Sequence, residues 1–472
     1  MPELTAGRLT LLSRAPQFRL LFSATAGSAL GTYLTATVLT LHVYDLTHSG
    51  TWIAGLLVAD FLPIVVIGLT LGPLIDRLSR KWLMVASDLT RFAVFCGIVF
   101  VHRPAAIVGL AAVAGIATGF FRPAVYAGLP NLVDGDDDLT EANSLPGTAE
   151  NVSWMVGPII ASLVYASAGT RPAYLLNAAT FLFSALLVSR IPAGRLQSGE
   201  SLSRGHWRDV ADGIGLVLRT PQLRTVLIVW NVVIAGNAAL NVAEVVFAKD
   251  SLGAGNVGYG ALVAATGVGL TIGSLATPFV MGSVGLGRLY PGAILMMALG
   301  AVAASQAPSI WVALPLAAFM TLGNAAAIVC NQLLVQRGAP DAMRGRAIAV
   351  LMSSTYVTLA LAMAVTGPLT NAFGGRTLWT IAGCVYLVGS TFAFVLVRLL
   401  PRTAEPPLAF DTVAAEPGIS LDTGNGAAVV TPLFAERHPA DRIRALLDEV
   451  EQTRRVEAER THSKPSTTTT HV

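Results

Sequence analysis

Between Phe18 and Leu400 the chain runs as a succession of apolar blocks, most of them long enough to cross a bilayer and none showing the polar stripe of a surface helix. A hydrocarbon core takes about 20 apolar residues per helix and tolerates no lipid-exposed strand edge or loop. A large soluble core would require each block to turn a polar face to water, and these blocks have none to turn. Only 12% of the 472 residues are charged, against roughly 25% in an average soluble domain. The segment 18–400 leaves about 32 residues for each helix with its loop if it crosses twelve times.

The pattern predicts spans near 18–45, 52–71, 82–101, 105–129, 146–168, 172–191, 223–247, 257–281, 289–306, 309–334, 347–371 and 377–398. Basic residues then set the orientation. Arg8, Arg14, Arg19, Arg77, Arg80, Lys81, Arg195, Arg204, Arg208, Arg219, Arg288, Arg337, Arg344, Arg346 and Arg402 fall on one side, and Arg103, Arg171, Lys249 and Arg376 on the other. The rich side is cytoplasmic, so both termini are expected inside, in a multi-pass protein of the cell (inner or plasma) membrane. The acidic loop 133–144 also falls inside, but acids count little in this rule.

The longest internal segment, 192–222, divides six spans from six. "GPII" from Gly157 and "GPLT" from Gly367 recur in the fifth and eleventh spans, as an internal duplication would place them. A net charge of +3 gives no reason to expect nucleic acid. Cys96, Cys330 and Cys384 lie in apolar blocks without ligand or pair spacing, so they read as small hydrophobes rather than metal ligands. The polar tail 401–472 is rich in Pro, Thr and Ala and is expected to be mostly disordered. Within it Ile443, Leu446, Leu447 and Val450 follow helical spacing and predict a short amphipathic helix.

The stretch "GPLIDRLSRKW" (72–82) carries Gly72, Leu74, Asp76, Arg77, Arg80 and Lys81 in the pattern G-x-L-x-D-R-x-G-R-K, with Ser79 in place of a glycine. It resembles the loop signature between the second and third helices of the major facilitator superfamily. "FFRPAVYAGLPNLVDGDDDLTEANSL" (120–145) and "RGRAIAV" (344–350) are similar to its drug- and siderophore-exporting branch, which includes the enterobactin exporter and macrolide efflux proteins. The resemblance covers roughly residues 8 to 400. It implies an all-α membrane fold of twelve helices in two six-helix bundles, 1–191 and 223–400, joined by a cytoplasmic linker loop 192–222 and followed by the tail 401–472. It also implies alternating access, with export usually coupled to proton entry. Between spans 8 and 9, "GSVGLGR" (282–288) lies where a second copy of the loop signature belongs; it keeps glycines and Arg288 but has no acid.

Asp76 can accept from exposed N–H groups at a neighbouring helix N-terminus, where the helix dipole also favours it. The family places the start of helix 11, around Gly345 and Arg346, nearby. Such a contact joins the bundles in one state only and is expected to act as a gate latch together with Gly72, Arg77, Arg80 and Lys81. The competing reading is a basic turn that sets topology.

Charges within spans are costly in lipid and mark function by default. Asp60, Glu150 and Arg122 are the candidates for proton coupling, with Asp60 the first choice and Glu150 expected near Arg122. Asp88 and Arg91, three apart on one helix, are expected to form a structural pair; an Asp60–Arg91 pair is the competing arrangement. Glu244 shares a helical face with Asn237 and Asn241. With Tyr33, Tyr126, Trp154, Trp230, Asn231, Asn324 and Asn331 these residues are the candidates to line a substrate path. Several aromatics with few charges suit bulky amphipathic compounds. The expected activity is therefore secondary active export of an antibiotic, siderophore or similar small molecule. The alternatives are a lipid or lysolipid flippase or an importer of the same fold and, more distantly, a transporter-like sensor. No Walker loop, HExxH or GxSxG serine motif suggests an enzyme. The expected partners are the substrate and membrane lipid, without nucleic acid, metal or cofactor; the energy source is the proton gradient and the chain is expected to be a monomer.

Overall fold

Apolar blocks become helices because backbone groups shielded from water must bond within their own segment. The computed structural model describes residues 10–70, 78–133, 136–197 and 206–400. Its long helices are α1 (Pro16–Thr47), α2 (Gly50–Thr70), α3 (Arg80–Ile98), α4 (Pro104–Gly128), α5 (Asp136–Ala168), α6 (Thr170–Ser189), α7 (Pro221–Val246), α8 (Gly255–Val284), α9 (Leu286–Ser305), α10 (Ile310–Gly338) and α11 (Asp341–Arg398). Among the described residues no strand occurs, and nine helical segments are long and apolar enough to cross a membrane. The threonine-rich α1 and the charged α3 are not among the nine. Gly72, Asp76, Arg77 and the predicted tail helix lie outside the described residues.

The largest departures from the expected boundaries are at α5 and α11. The acidic segment expected as a loop forms the first turns of α5, which starts at Asp136 rather than near 146; acidic sequence suits the positive end of a helix dipole. The spans expected at 347–371 and 377–398 run on as α11, interrupted only at Gly374, whose φ of 78° no residue with a Cβ adopts readily.

The linker also departs from a loop. It contains helices Ala193–Leu196 and His206–Arg219. The second is amphipathic, with Val210, Ile214, Val217 and Leu218 near helical spacing. It lies on α11: a Cβ on Gly213 would stand 2.9 Å from the Arg346 carbonyl oxygen, and Asp212 pairs with Arg346 at 3.2 Å.

Most helix packing falls within the first half of the chain or within the second, and it joins mainly helices that are not consecutive. α1 packs on α5 and α6, α2 on α4, and α3 on α4 and α6. Later in the chain α7 packs on α11, α8 on α10, and α9 on α10 and α11. Contacts between the two sets run chiefly through α2 with α11 and α5 with α8. The recurring Gly-Pro dipeptides sit at helix crossings rather than at free kinks. A Cβ on Gly157 would come within 3.0 Å of the Tyr33 Cβ, and one on Gly367 within 2.8 Å of the Ala54 Cβ.

Candidate functional site

Helices from both sets enclose a cavity of about 410 Å³. Its wall includes Tyr33, Thr37 and Thr40 of α1, Trp154 of α5, Asn237, Asn241 and Glu244 of α7, Tyr259 of α8, Asn324 of α10 and Trp379 of α11. Asn237, Asn241 and Glu244 recur every three or four residues, so one face of α7 carries all three inward. Among the described residues the cavity has a single formal charge, Glu244, and no lysine, arginine or histidine on its wall. Glu244 is half-buried and has no hydrogen-bond or ion-pair partner among the described residues. The Asn237 side-chain oxygen accepts from the Tyr386 hydroxyl at 2.6 Å, and the buried Asn324 oxygen has no partner among the described residues.

Of the expected path residues, Tyr33, Trp154, Asn237, Asn241, Glu244 and Asn324 line this cavity. Asn231, Asn331, Tyr126 and Trp230 do not. Asn231 donates to Ser354 at 2.6 Å and accepts from Thr358 at 2.5 Å, tying α7 to α11. Asn331 is buried and accepts from Tyr290 at 2.6 Å, and Trp230 packs half-buried against the core. Sequence reasoning missed Tyr259 and Trp379, since an aromatic inside an apolar block carries no directional signal.

One end of the helices is sealed by polar contacts between the two sets. Lys249 donates to Asp45, and the Tyr44 hydroxyl donates to Asp250. Asp45 also accepts from Tyr165 at 2.6 Å, and Lys249 donates to Asn256 at 2.7 Å. Asn371 accepts from the Gly50 N–H at 2.6 Å and donates to Thr51 at 2.9 Å. Small residues allow this closure: a Cβ on Gly260 of α8 would stand 2.0 Å from the Ser162 Oγ of α5.

Toward the opposite end the polar side chains stay open. Arg122 of α4 donates to Glu150 of α5 at 2.7 Å, the proximity the sequence suggested, and the side chains remain 47% and 32% exposed. Tyr126 is exposed beside them and within reach of both charges. Asp60 is exposed, with no hydrogen-bond or ion-pair partner among the described residues. Arg91 instead pairs with Asp88 at 2.5 Å, between the rings of Phe121 and Phe181, and Asp88 accepts from Ser184 at 2.7 Å. That buried cluster belongs to the packing of α3, α4 and α6. Arg80 donates to the carbonyls of Ala127 and Leu196 at 2.9 Å each, and Lys81 to that of Ser189 at 2.6 Å. Both cations therefore satisfy free carbonyls near helix C-termini.

Comparisons with known proteins agree with this geometry. Residues 10–463 match the model of a family described as transmembrane secretion effectors. The multidrug efflux pump Tap of Mycolicibacterium fortuitum is 25% identical over 85% of this chain and 99% of its own. The enterobactin exporter EntS of Escherichia coli O1:K1 is 24% identical over 84% of this chain and 96% of its own. Among solved structures, a bacterial homologue of the iron transporter ferroportin in an inward-facing state superposes with a TM-score of 0.66 at 16% identity, over 81% of this chain and 98% of the other. The nucleoside transporter NupG does so with a TM-score of 0.64 at 17% identity, over 81% of this chain and 100% of the other. The chain belongs to the transmembrane secretion effector family of the major facilitator superfamily, as a multi-pass membrane transporter and not an enzyme.

Proposed function

We propose that this transporter exports cationic amphipathic small molecules by alternating access, in exchange for protons. The observation that carries the reading is the cavity between the two helix sets, closed toward one end by Asp45–Lys249 and Tyr44–Asp250, with Glu244 as the one charge among its described lining residues. A carboxylate facing aromatic rings in a low-dielectric wall suits an organic cation, through charge attraction and cation–π contact. Proton and cation then exclude one another at Glu244, which is what exchange requires. Asp60 and the Arg122–Glu150 pair lie in the open half and serve as the relay that delivers the proton. In this reading the sealed end is the outer face and the gate signature is inside, as the excess of basic residues on that side supports.

The same reading assigns twelve spans. α11 is 58 residues long, about 87 Å of helix, and supplies two crossings broken at Gly374. α1 and α3, with polar residues turned inward, supply two more. The spans fall into an N-terminal bundle (1–191) and a C-terminal bundle (223–400), with the linker 192–222 between them and the tail 401–472 beyond. Expression in an efflux-deficient host, against a panel of cationic, neutral and anionic amphiphiles, tests this. Raised resistance to cations that a protonophore abolishes is expected. Resistance unaffected by the protonophore, or seen with none of the cations, overturns it.

A further inference from the structure

The stretch "GSVGLGR", which lacks the acid of the gate signature, leads into a second cavity whose lining shares no residue with the first. This cavity, of about 620 Å³, lies between the start of α9 and the last turns of α11. Arg288 and Arg398 both line it, and Gly292, Leu295, Phe394 and Ser390 complete most of its wall. Arg288 is the third residue of α9 and Arg398 the last of α11. Each stands at the extreme end of an apolar segment able to cross a membrane, where that segment meets the headgroup layer. Both side chains are exposed, and neither has an acidic partner among the described residues. Arg398 is held in place by stacking on the Phe394 ring at 3.8 Å.

Two like charges converging on one cavity repel each other unless an anion lies between them. Guanidinium groups match phosphate oxygens in pairs. Below the arginines the wall is carried by Pro291, Leu295 and Phe394, and the hydroxyls of Ser390 and Thr391 are taken up by the backbone carbonyls of Pro291 and Leu387 at 2.9 Å each. Leu295 is two helical turns deeper than Arg288, roughly 10 Å, and Phe394 is one turn deeper than Arg398. These two side chains are 38% and 45% exposed. Gly292 opens the space between them, since a Cβ there would meet nothing within 4 Å. An anionic head above an apolar slot is the shape of a phospholipid. A second copy of the chain fits poorly, because a two-fold contact at this groove would bring the same four arginines together. Basic pockets between transmembrane helices hold anionic headgroups elsewhere. We propose that this groove binds one anionic phospholipid of the adjacent leaflet, its phosphate between Arg288 and Arg398 and an acyl chain along Gly292, Leu295 and Phe394.

The test uses the full-length protein in neutral detergent, with binding of phosphatidylglycerol and phosphatidylcholine followed by native mass spectrometry. The wild type should retain phosphatidylglycerol in preference to phosphatidylcholine. Arg288→Gln with Arg398→Gln should weaken phosphatidylglycerol about thirtyfold and leave phosphatidylcholine unchanged. Gly292→Leu keeps both charges but fills the slot, so it should also weaken phosphatidylglycerol; it carries the test by itself should the double variant fail to fold. Equimolar inorganic phosphate should not compete. The proposal is overturned if the double variant binds phosphatidylglycerol like wild type, if Arg103→Gln with Arg171→Gln at the opposite end causes the same loss, if Gly292→Leu has no effect, or if inorganic phosphate displaces the lipid.

Discussion

Lys249, just past α7, donates to Asp45 near the end of α1, joining the two helix sets across 204 residues of chain. Asp45 is held from a second side by Tyr165 of α5, and Lys249 by Asn256 of α8. The pair exists only while this end is closed, so its energy counts toward one state of the transport cycle. Lys249→Met should shift the equilibrium about fivefold toward opening at this end, the size expected of one partly exposed ion pair. Thiol labelling of a cysteine placed at Ala36 reads the shift. Labelling from the outer side that stays at the wild-type rate would show that the pair is not a latch.

Gly260 gives an independent handle on the same closure. Its missing side chain admits α5 at the contact between the sets. Gly260→Val should therefore block closure and stop transport while thermal stability holds. Gly115→Val is the contrast, because a Cβ there meets the Asp60 backbone oxygen at 2.2 Å within a single set. That substitution should lower the melting temperature and the yield. Equal melting temperatures for the two variants would contradict the distinction.

Asp88 and Arg91 are a packing device. Asp88→Asn leaves a guanidinium between Phe121 and Phe181 without its carboxylate. Breaking a buried pair on one side costs roughly 3 kcal/mol, so abundance and melting temperature should fall. Substrate preference in the surviving protein should match wild type, as measured by the resistance profile at equal expression.

The relay makes a different prediction. Glu150→Gln removes the partner that Arg122 holds at 2.7 Å, and Asp60→Asn removes the unpaired acid. Each should reduce substrate-driven proton movement in proteoliposomes while leaving substrate binding measurable. Exchange of the pair, Arg122→Glu with Glu150→Arg, should recover part of what Glu150→Gln loses. Normal proton movement in both Asp60→Asn and Glu150→Gln would remove these residues from the relay.

Helices were legible in the sequence because span length and apolar content are local properties, and most boundaries of α2, α4 and α6 fall within two or three residues of expectation. The linker helix escaped notice because its apolar residues are separated by Asp209 and Asp212, although their spacing carries a helical signal. At the site, the face made by Asn237, Asn241 and Glu244 followed from helical spacing alone. The Arg122–Glu150 contact was legible as two unlike charges expected at similar depth on adjacent helices. The Asp45–Lys249 contact was not, because which helix ends meet is a property of the tertiary arrangement. Asp60 was expected as the most central acid of the first six spans; it is accessible to solvent, and Arg91 takes Asp88 rather than Asp60 as its ion-pair partner.

The most direct test of proton-coupled cation export is made on Glu244. Purified protein in liposomes with an acidic, dye-loaded lumen is presented with tetraphenylphosphonium, a permanently charged aromatic cation. Wild type should release protons from the lumen as the cation is taken up. Glu244→Gln should bind the cation about tenfold more weakly, as expected when a charge-assisted contact is lost, and release no protons. Cation uptake by wild type without proton release, or undiminished binding and exchange in Glu244→Gln, would contradict the account.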